Sequence, residues 1–313
     1  MESEFIAWLR SSLPKPGSDV LVGPGDDAAV LAWRTMGDCV VTTDMLMDGV
    51  DFRLGIDEPE RIGRKALAVN LSDLAAMGSK PVGAVVSLAL PRAGGFELAK
   101  RLYAGLLPLA AEFECSIVGG DTNAYDGPLV ISVTAFGRVG GQFGPNSPLL
   151  RSLARPGDLI VVTGEFGGSI LGKQFDFTPR VREAMELARH YGARAAMDVS
   201  DGLSLDLSRM CAESHCGAVV RLDEIPIAAA SHRLAEQEPA GGTALEHALS
   251  DGEDFELILA LSRMDAERAV REQPVAARVT IIGEFIAERG LWSVDSNGKR
   301  TALAPRGYEH RMT

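Results

Sequence analysis

Short apolar runs and longer striped segments alternate along the chain. Residues 39–43 (CVVTT), 82–90 (VGAVVSLAL), 115–118 (CSIV) and 129–136 (LVISVTAF) are short and apolar, which predicts strands. Two helical stripes lie between them. One covers 58–77 with Ile62, Ala66, Leu67, Val69 and Leu74 on or near one face. The other covers 95–113 with Leu98, Leu102, Leu106, Leu109 and Phe113. Pro108 predicts a kink in the second helix. Residues 138–158 are rich in Gly and Pro and carry little periodicity, so the domain boundary is expected there, between domains 1–140 and 150–313. A second series follows. Strands are expected at 159–163, 194–199, 218–222, 255–261 and 278–283, and helices at 180–191 and 203–214. Residues 263–273 read as a charged, solvated helix. Strands alternating with helices predict an α/β (α+β) class in both halves. Heptads, low-complexity tracts and fixed-period repeats are absent from the sequence.

The 313 residues suffice for two domains. The net charge of −12 opposes a nucleic-acid footprint, which needs a basic face, and an anionic membrane surface as partner. The acidic start, Met1-Glu2-Ser3-Glu4, does not read as a signal peptide. The longest apolar run, near Val82–Leu90, is too short to span a bilayer. Cys39, Cys115, Cys211 and Cys216 show no zinc-ligand spacing and read as reduced, mostly core thiols of a cytoplasmic protein.

One pattern carries chemistry. A short apolar run ends, and an Asp arrives beside Gly, Ser or Thr. It occurs at Gly25-Asp26-Asp27, Thr42-Thr43-Asp44, Gly119-Gly120-Asp121, Asp198-Val199-Ser200-Asp201-Gly202 and Gly252-Glu253-Asp254. Ligands gather at strand ends in layered sheets. Asp beside Gly is also ordinary turn chemistry, and Asp201 is placed to cap the helix starting at Leu203. Five repetitions favour a shared ligand. Carboxylates that converge need a cation among them, or their pKa values rise. Mg2+ takes one or two carboxylates plus substrate phosphates, so several Mg2+ ions with a polyphosphate meet the requirement. Asp73 sits among apolar neighbours in the first helix and needs a partner, either Arg64 or Lys65 or a metal; the metal is favoured.

Other signals are weaker. Gly167–Gln174 (GGSILGKQ) nearly matches a phosphate-binding P-loop, but Gln174 replaces the metal-binding hydroxyl. His190, His215, His232, His247 and His310 lack metal spacing and are expected at the surface. Ser169, Ser200 and Ser204 have no evident base partner, which opposes nucleophilic catalysis.

The ordered motifs GDDAAV (25–30), TTDML (42–46), NLSDLAAMG (70–78), GGDTN (119–123), MDVSDGLSLDL (197–207) and GEDFEL (252–257) resemble those of the thiamine-monophosphate kinase family across about residues 2–310. That family shares a superfamily with aminoimidazole ribonucleotide synthetase and selenophosphate synthetase. The resemblance implies two α/β domains, a dimer formed through the N-terminal one, and ATP in a cleft between domains near the dimer interface. It implies transfer of the γ-phosphoryl group of ATP to thiamine monophosphate. By motif, Asp27, Thr42, Thr43, Asp44, Asp73, Asp121, Asp198 and Asp201 would hold Mg2+. Tyr103, Gly120, Arg151 and Ser200 would contact ATP. Asp51, Glu253, Asp254 and Tyr308 would face the substrate.

The chemistry suits these residues, because a phosphate nucleophile needs positioning and charge neutralisation rather than a strong base. Two departures bear on the acceptor. Asp51, in Asp48-Gly49-Val50-Asp51-Phe52, stands where the family usually has His, and the segment after Gly172 is short. The alternatives are a sister synthetase acting on another acceptor, or a non-catalytic ATP- and Mg2+-binding paralogue. No selenophosphate-type redox loop and no C-terminal Cys appears.

Overall fold

A computed structural model describes residues 8, 9, 11–15, 20–22, 30–31, 37–140, 147–238, 240–295 and 297–309. The chain forms two compact units, Met1–Leu74 with Ser79–Asn146, and Ala75–Gly78 with Ser147–Thr313.

The first unit holds a small ribbon, β1 (Val20–Val22) with β2 (Val30–Leu31), and a four-stranded sheet. The sheet strands are β3 (Asp38–Met47), β4 (Lys80–Pro91), β5 (Ser116–Tyr125) and β6 (Val130–Val139), in the order β3-β6-β4-β5. Two helices accompany them, α1 (Pro59–Ala76) and α2 (Gly95–Glu112). β4 and β5 are parallel, and α2 is the crossover that parallel neighbours require. Along β6, Ile131, Val133 and Ala135 are buried while Val130, Ser132, Thr134 and Phe136 are only half-buried. This period of two marks a sheet with one covered and one open face. On the open face of β3, Val41 (56% exposed) and Met45 (59%) stand out in solvent.

The strands differ from expectation in length. The acids were expected at strand ends, yet pairing runs on through Asp44 to Met47 and through Asp121 to Tyr125. Ladder hydrogen bonds are made by the main chain, so polar side chains on edge strands with an open face do not end them.

α1 and α2 cross at backbone distance. A Cβ on Gly63 would lie 1.9 Å from the Leu102 carbonyl oxygen, and one on Gly105 would lie 1.7 Å from that of Glu60. Only glycine fits either place, and each makes room for the other helix. Pro108 lies within α2, which continues past it to Glu112.

The second unit contains a seven-stranded sheet, in the order β13-β12-β9-β11-β7-β10-β8. Its strands are β7 (Leu159–Thr163), β8 (Ala195–Asp198), β9 (Gly217–Arg221), β10 (Leu257–Leu261), β11 (Val279–Ile286), β12 (Gly290–Val294) and β13 (Arg300–Ala302). Only β12 and β9 run parallel. Its helices are α3 (Lys173–Asp176), α4 (Val181–His190), α5 (Leu203–Glu213), α6 (Ala229–Gln237), α7 (Ala244–Ser250) and α8 (Arg263–Glu272). Every residue of β7 and β10 is buried. Ile160, Val162, Met197, Leu203, Leu207, Met210, Ile258 and Phe285 form one core under α5. Both units are mixed α/β, as expected. Cys115, Cys211 and Cys216 are buried and Cys39 is exposed; all four are free thiols. No helix of the described residues is long and apolar enough to cross a membrane.

Candidate active site

In the first unit the structure splits the candidate ligands between two faces of one sheet. Thr42 and Asp44 point to the helix side of β3, where the Thr42 hydroxyl donates a short hydrogen bond to the Asp73 carboxylate of α1. Asp73 thus accepts from Thr42, and the fully buried Lys65 donates to the Asp51 carbonyl oxygen at 2.9 Å. Asp44 Oδ2 is buried without a hydrogen-bond partner. Burial, then the charges of Asp73 and Asp51, push the Asp44 carboxyl up to about 7. Thr43 lies on the other face, donating to the Val133 carbonyl oxygen and accepting from Thr134. Asp51 Oδ2 accepts from the Met47 amide at 2.7 Å.

Asp121 is on the far edge strand. Asp44 pairs with Val133, Val133 with Val86, and Val86 with Gly120, so Gly120 shares the Asp44 row and Asp121 sits one step further. Three strand spacings separate the rows' ends, about 14 Å. Asp121 shares its row with Met45, Ser132 and Ser87, on the open face. Gly120 admits no side chain, because a Cβ there would lie 2.0 Å from the Val86 carbonyl oxygen. Tyr103 is 2% exposed and meets Trp8 edge-on, with ring centroids 6.4 Å apart. Its ring is thus covered within the first unit. Asp27 lies outside the described residues.

In the second unit, three segments converge. The Glu253 amide donates to the Ser200 carbonyl oxygen at 2.7 Å, and the Tyr308 amide to that of Asp201 at 2.9 Å. Ser204 Oγ donates to the Arg306 carbonyl oxygen and accepts from the Arg306 amide. Ser200, Asp201, Glu253 and Tyr308 thus belong to one loop cluster, which Asp198 approaches as the buried last residue of β8. Tyr308 is 51% exposed. Gly252 (φ 74°), Glu253 (φ 53°) and Phe255 (φ 50°) are left-handed, a strained run of the kind found at binding sites. Arg151 is exposed, and its carbonyl oxygen accepts from Ser214 Oγ at 2.6 Å.

Several expectations are corrected. Asp201 does not cap α5. No side chain caps α5; Asp206 instead reaches back from the first turn and accepts from the amides of the preceding turn, Asp201 (2.9 Å) and Gly202 (3.1 Å). Asp254 is 1% exposed, and both its oxygens accept from the Gly167 amide. It is a buried carboxyl that holds the Gly167 turn. Burial pushes it up to about 7, against the pull of Lys173 and that amide. Asp251 takes the Gly168 amide at 2.9 Å. The P-loop-like turn therefore has its first two amides, those of Gly167 and Gly168, filled by the protein's own carboxylates. Lys173 lies 3.1 Å from Glu256, which Arg180 grips through two 2.7 Å bonds and Thr163 through one of 2.8 Å. Burial raises the Glu256 carboxyl, but Arg180, Lys173 and Thr163 outweigh it and hold it below the usual range. His247 is buried rather than at the surface, 2.9 Å from Asp251.

The donor set suits Mg2+. It is all oxygen, and one buried carboxylate oxygen lacks a partner, with its charge disfavoured until a cation arrives. Among the described residues no three His, Cys, Asp or Glu side chains are close enough to hold an ion unaided.

Residues 25–139 match the family model of the AIR synthase related protein, N-terminal domain, and 155–294 that of the C-terminal domain. The thiamine-monophosphate kinase of Rhodopirellula baltica is 42% identical, covering 100% of this chain and 98% of its own length. The crystal structure of the thiamine-monophosphate kinase from Stenotrophomonas maltophilia K279a is 34% identical, with a TM-score of 0.75 over 93% of this chain and 94% of that one. AaThiL complexed with AMPPCP and TMP has the same fold, at 24% identity and a TM-score of 0.75 over 99% and 96% of the two chains.

Proposed function

The chain belongs to the thiamine-monophosphate kinases of the AIR synthase related family, and we propose that the two faces of its first sheet serve one ATP-dependent phosphoryl transfer. The enzyme phosphorylates thiamine monophosphate to thiamine diphosphate at the expense of ATP. The observation that carries this activity is the match along the whole chain to kinases of that substrate.

The site residues are our assignment. Asp44 and Asp73 would hold Mg2+ on the helix side, Thr43 and Asp121 on the open side, and Asp198 and Asp201 in the second unit; Asp27 completes the set by motif. Several ions are implied by so many separate carboxylates. Held by these residues, such ions would supply neutralisation of phosphate charge. The acceptor phosphate is already anionic, so no side chain needs to remove a proton. Arg151 adds a cation for the phosphates, and the glycine at 120 lets a ligand approach the backbone. Ser200 stands beside Asp201, its carbonyl oxygen held by the Glu253 amide of the left-handed run. By motif Tyr103 would contact ATP, from its buried place against Trp8. Glu253 and the exposed Tyr308 ring face the thiamine moiety, and Asp51 the acceptor phosphate.

A second copy of the chain is part of this reading. Asp44 and Asp121 cannot meet within one flat sheet, so a site that uses both is completed by a partner. In this reading the partner would cover the exposed apolar side chains of β3, Val41, Met45 and Met47, and reach Asp44 around the edge strand. ATP as substrate and four free thiols favour the cytoplasm.

The test is incubation with ATP, Mg2+ and thiamine monophosphate, with thiamine diphosphate read by chromatography. Product that depends on all three is expected. ADP release without thiamine diphosphate would overturn the acceptor.

A further inference from the structure

The Asp201–Gly202 turn is tied from two directions. Asp206, fully buried, holds its backbone amides. Arg209, one turn along α5, holds its side chain, with Nη1 donating a short bond to Asp201 Oδ2 and a 2.8 Å bond to Asp206 Oδ1. One guanidinium nitrogen thus bridges two carboxylates. The Arg209 side chain keeps 35% of its exposure, so it has a route to water, whereas Asp206 has none.

We propose that Arg209 is a positioning residue: a resident counter-ion that keeps the Asp201 carboxylate in place before metal arrives and yields it to the divalent cation. The inference rests on reading Asp201 as a metal ligand. Without Arg209, two adjacent carboxylates face each other uncompensated, which costs stability and makes the same spot a stronger cation site. A divalent ion then does what the guanidinium did. With Arg209 present, the ion must first displace it, so metal binding contributes less to stability.

The experiment is calorimetric melting of the full chain without nucleotide, in EDTA and in millimolar MgCl2. Arg209→Gln is expected to melt lower than the unmodified protein in EDTA. Its Tm is expected to gain about 4 °C more from Mg2+, the shift a tenfold tighter site gives a domain of this size. Arg209→Lys, which keeps the charge, is expected to gain as the unmodified protein does. An equal Mg2+ gain in Arg209→Gln and the unmodified protein overturns the proposal, as does a Lys variant behaving like Gln. Asp201→Asn combined with Arg209→Gln separates the two readings. Loss of the extra gain supports both, whereas an extra gain that survives removes Asp201 from the metal site and the proposal with it.

Discussion

Asp44 and Asp121 sit one register step apart across a four-stranded sheet, on opposite edges and opposite faces. No rotamer change joins side chains whose strands lie three spacings, about 14 Å, apart on opposite faces. If a partner completes the site, Asp44→Asn and Asp121→Asn should each lose activity by about a hundredfold or more. Dissociated and re-annealed together in equal amounts, they should recover about a quarter of the unmodified rate, since half the dimers are mixed and each mixed dimer holds one intact site. Recovery near zero would place both ligands in one subunit or in separate roles.

Asp51 accepts from the Met47 amide and lends negative charge to the Asp44 pocket. Asp51→His should change KM for thiamine monophosphate by about tenfold, the value of one hydrogen bond to a charged group. ATP affinity, measured by titration calorimetry, should stay within about a factor of two, well below that single-contact energy. A large change in ATP affinity would place this loop at the nucleotide.

Gly252 is left-handed, and a Cβ there would lie 2.7 Å from the Ser200 carbonyl oxygen and 2.9 Å from the Asp201 carbonyl carbon. Gly252→Ala should push on the Ser200–Asp201 turn. We expect kcat to fall at least about tenfold, since small misplacements at a phosphoryl-transfer site are costly. Circular dichroism should remain that of a folded chain. Unchanged kcat would detach this turn from catalysis.

Asp254 has a pH signature with a defined sign. Its folded carboxyl titrates at about 7, above the unfolded value, so the native state holds the proton longer. Its contribution to stability therefore falls as pH rises from about 4 to about 7, and the penalty is complete above that. Asp254→Asn keeps an acceptor for the Gly167 amide and removes the charge. Its Tm relative to the unmodified protein should be higher at pH 8 than at pH 5. A pH-independent difference would show that this carboxyl does not titrate there.

Arg180 is the main partner of the buried Glu256. Arg180→Ala leaves Glu256 with Lys173 and Thr163, so we expect a loss of about 3 kcal/mol in urea unfolding, the range for breaking a buried pair. A loss below about 1 kcal/mol, the range of a surface pair, would mean that Lys173 and Thr163 together satisfy the carboxylate.

Much of the fold was legible because burial writes itself into periodicity. Leu159–Thr163 reads as a strand to the residue, and the stripes of α1 and α2 place their ends within one or two positions. α6, α7, β12 and β13 were missed, being short segments with weak or mixed stripes. The acid motifs pointed to the site, but not to which carboxylates are free. Asp254 looks like Asp44 in sequence, yet it neutralises a turn contributed by residues 87 positions away. Asp206 and Arg209 were overlooked as functional groups. Their spacing of three on the helix after Asp201-Gly202 was the available signal.

The reciprocal glycines between α1 and α2 have one more consequence. With the helices in backbone contact at Gly63 and Gly105, α1 has no slack to slide, and Asp73 rides on it ten residues, about 15 Å, from that crossing. A single methyl group at Gly63 would act as a wedge at the fulcrum of a rigid rod, and its effect would be felt at the far tip, where Asp73 meets Thr42. Damage to the phosphate chemistry can therefore arise at a place that touches no ligand, and a survey of inactive variants should find it there.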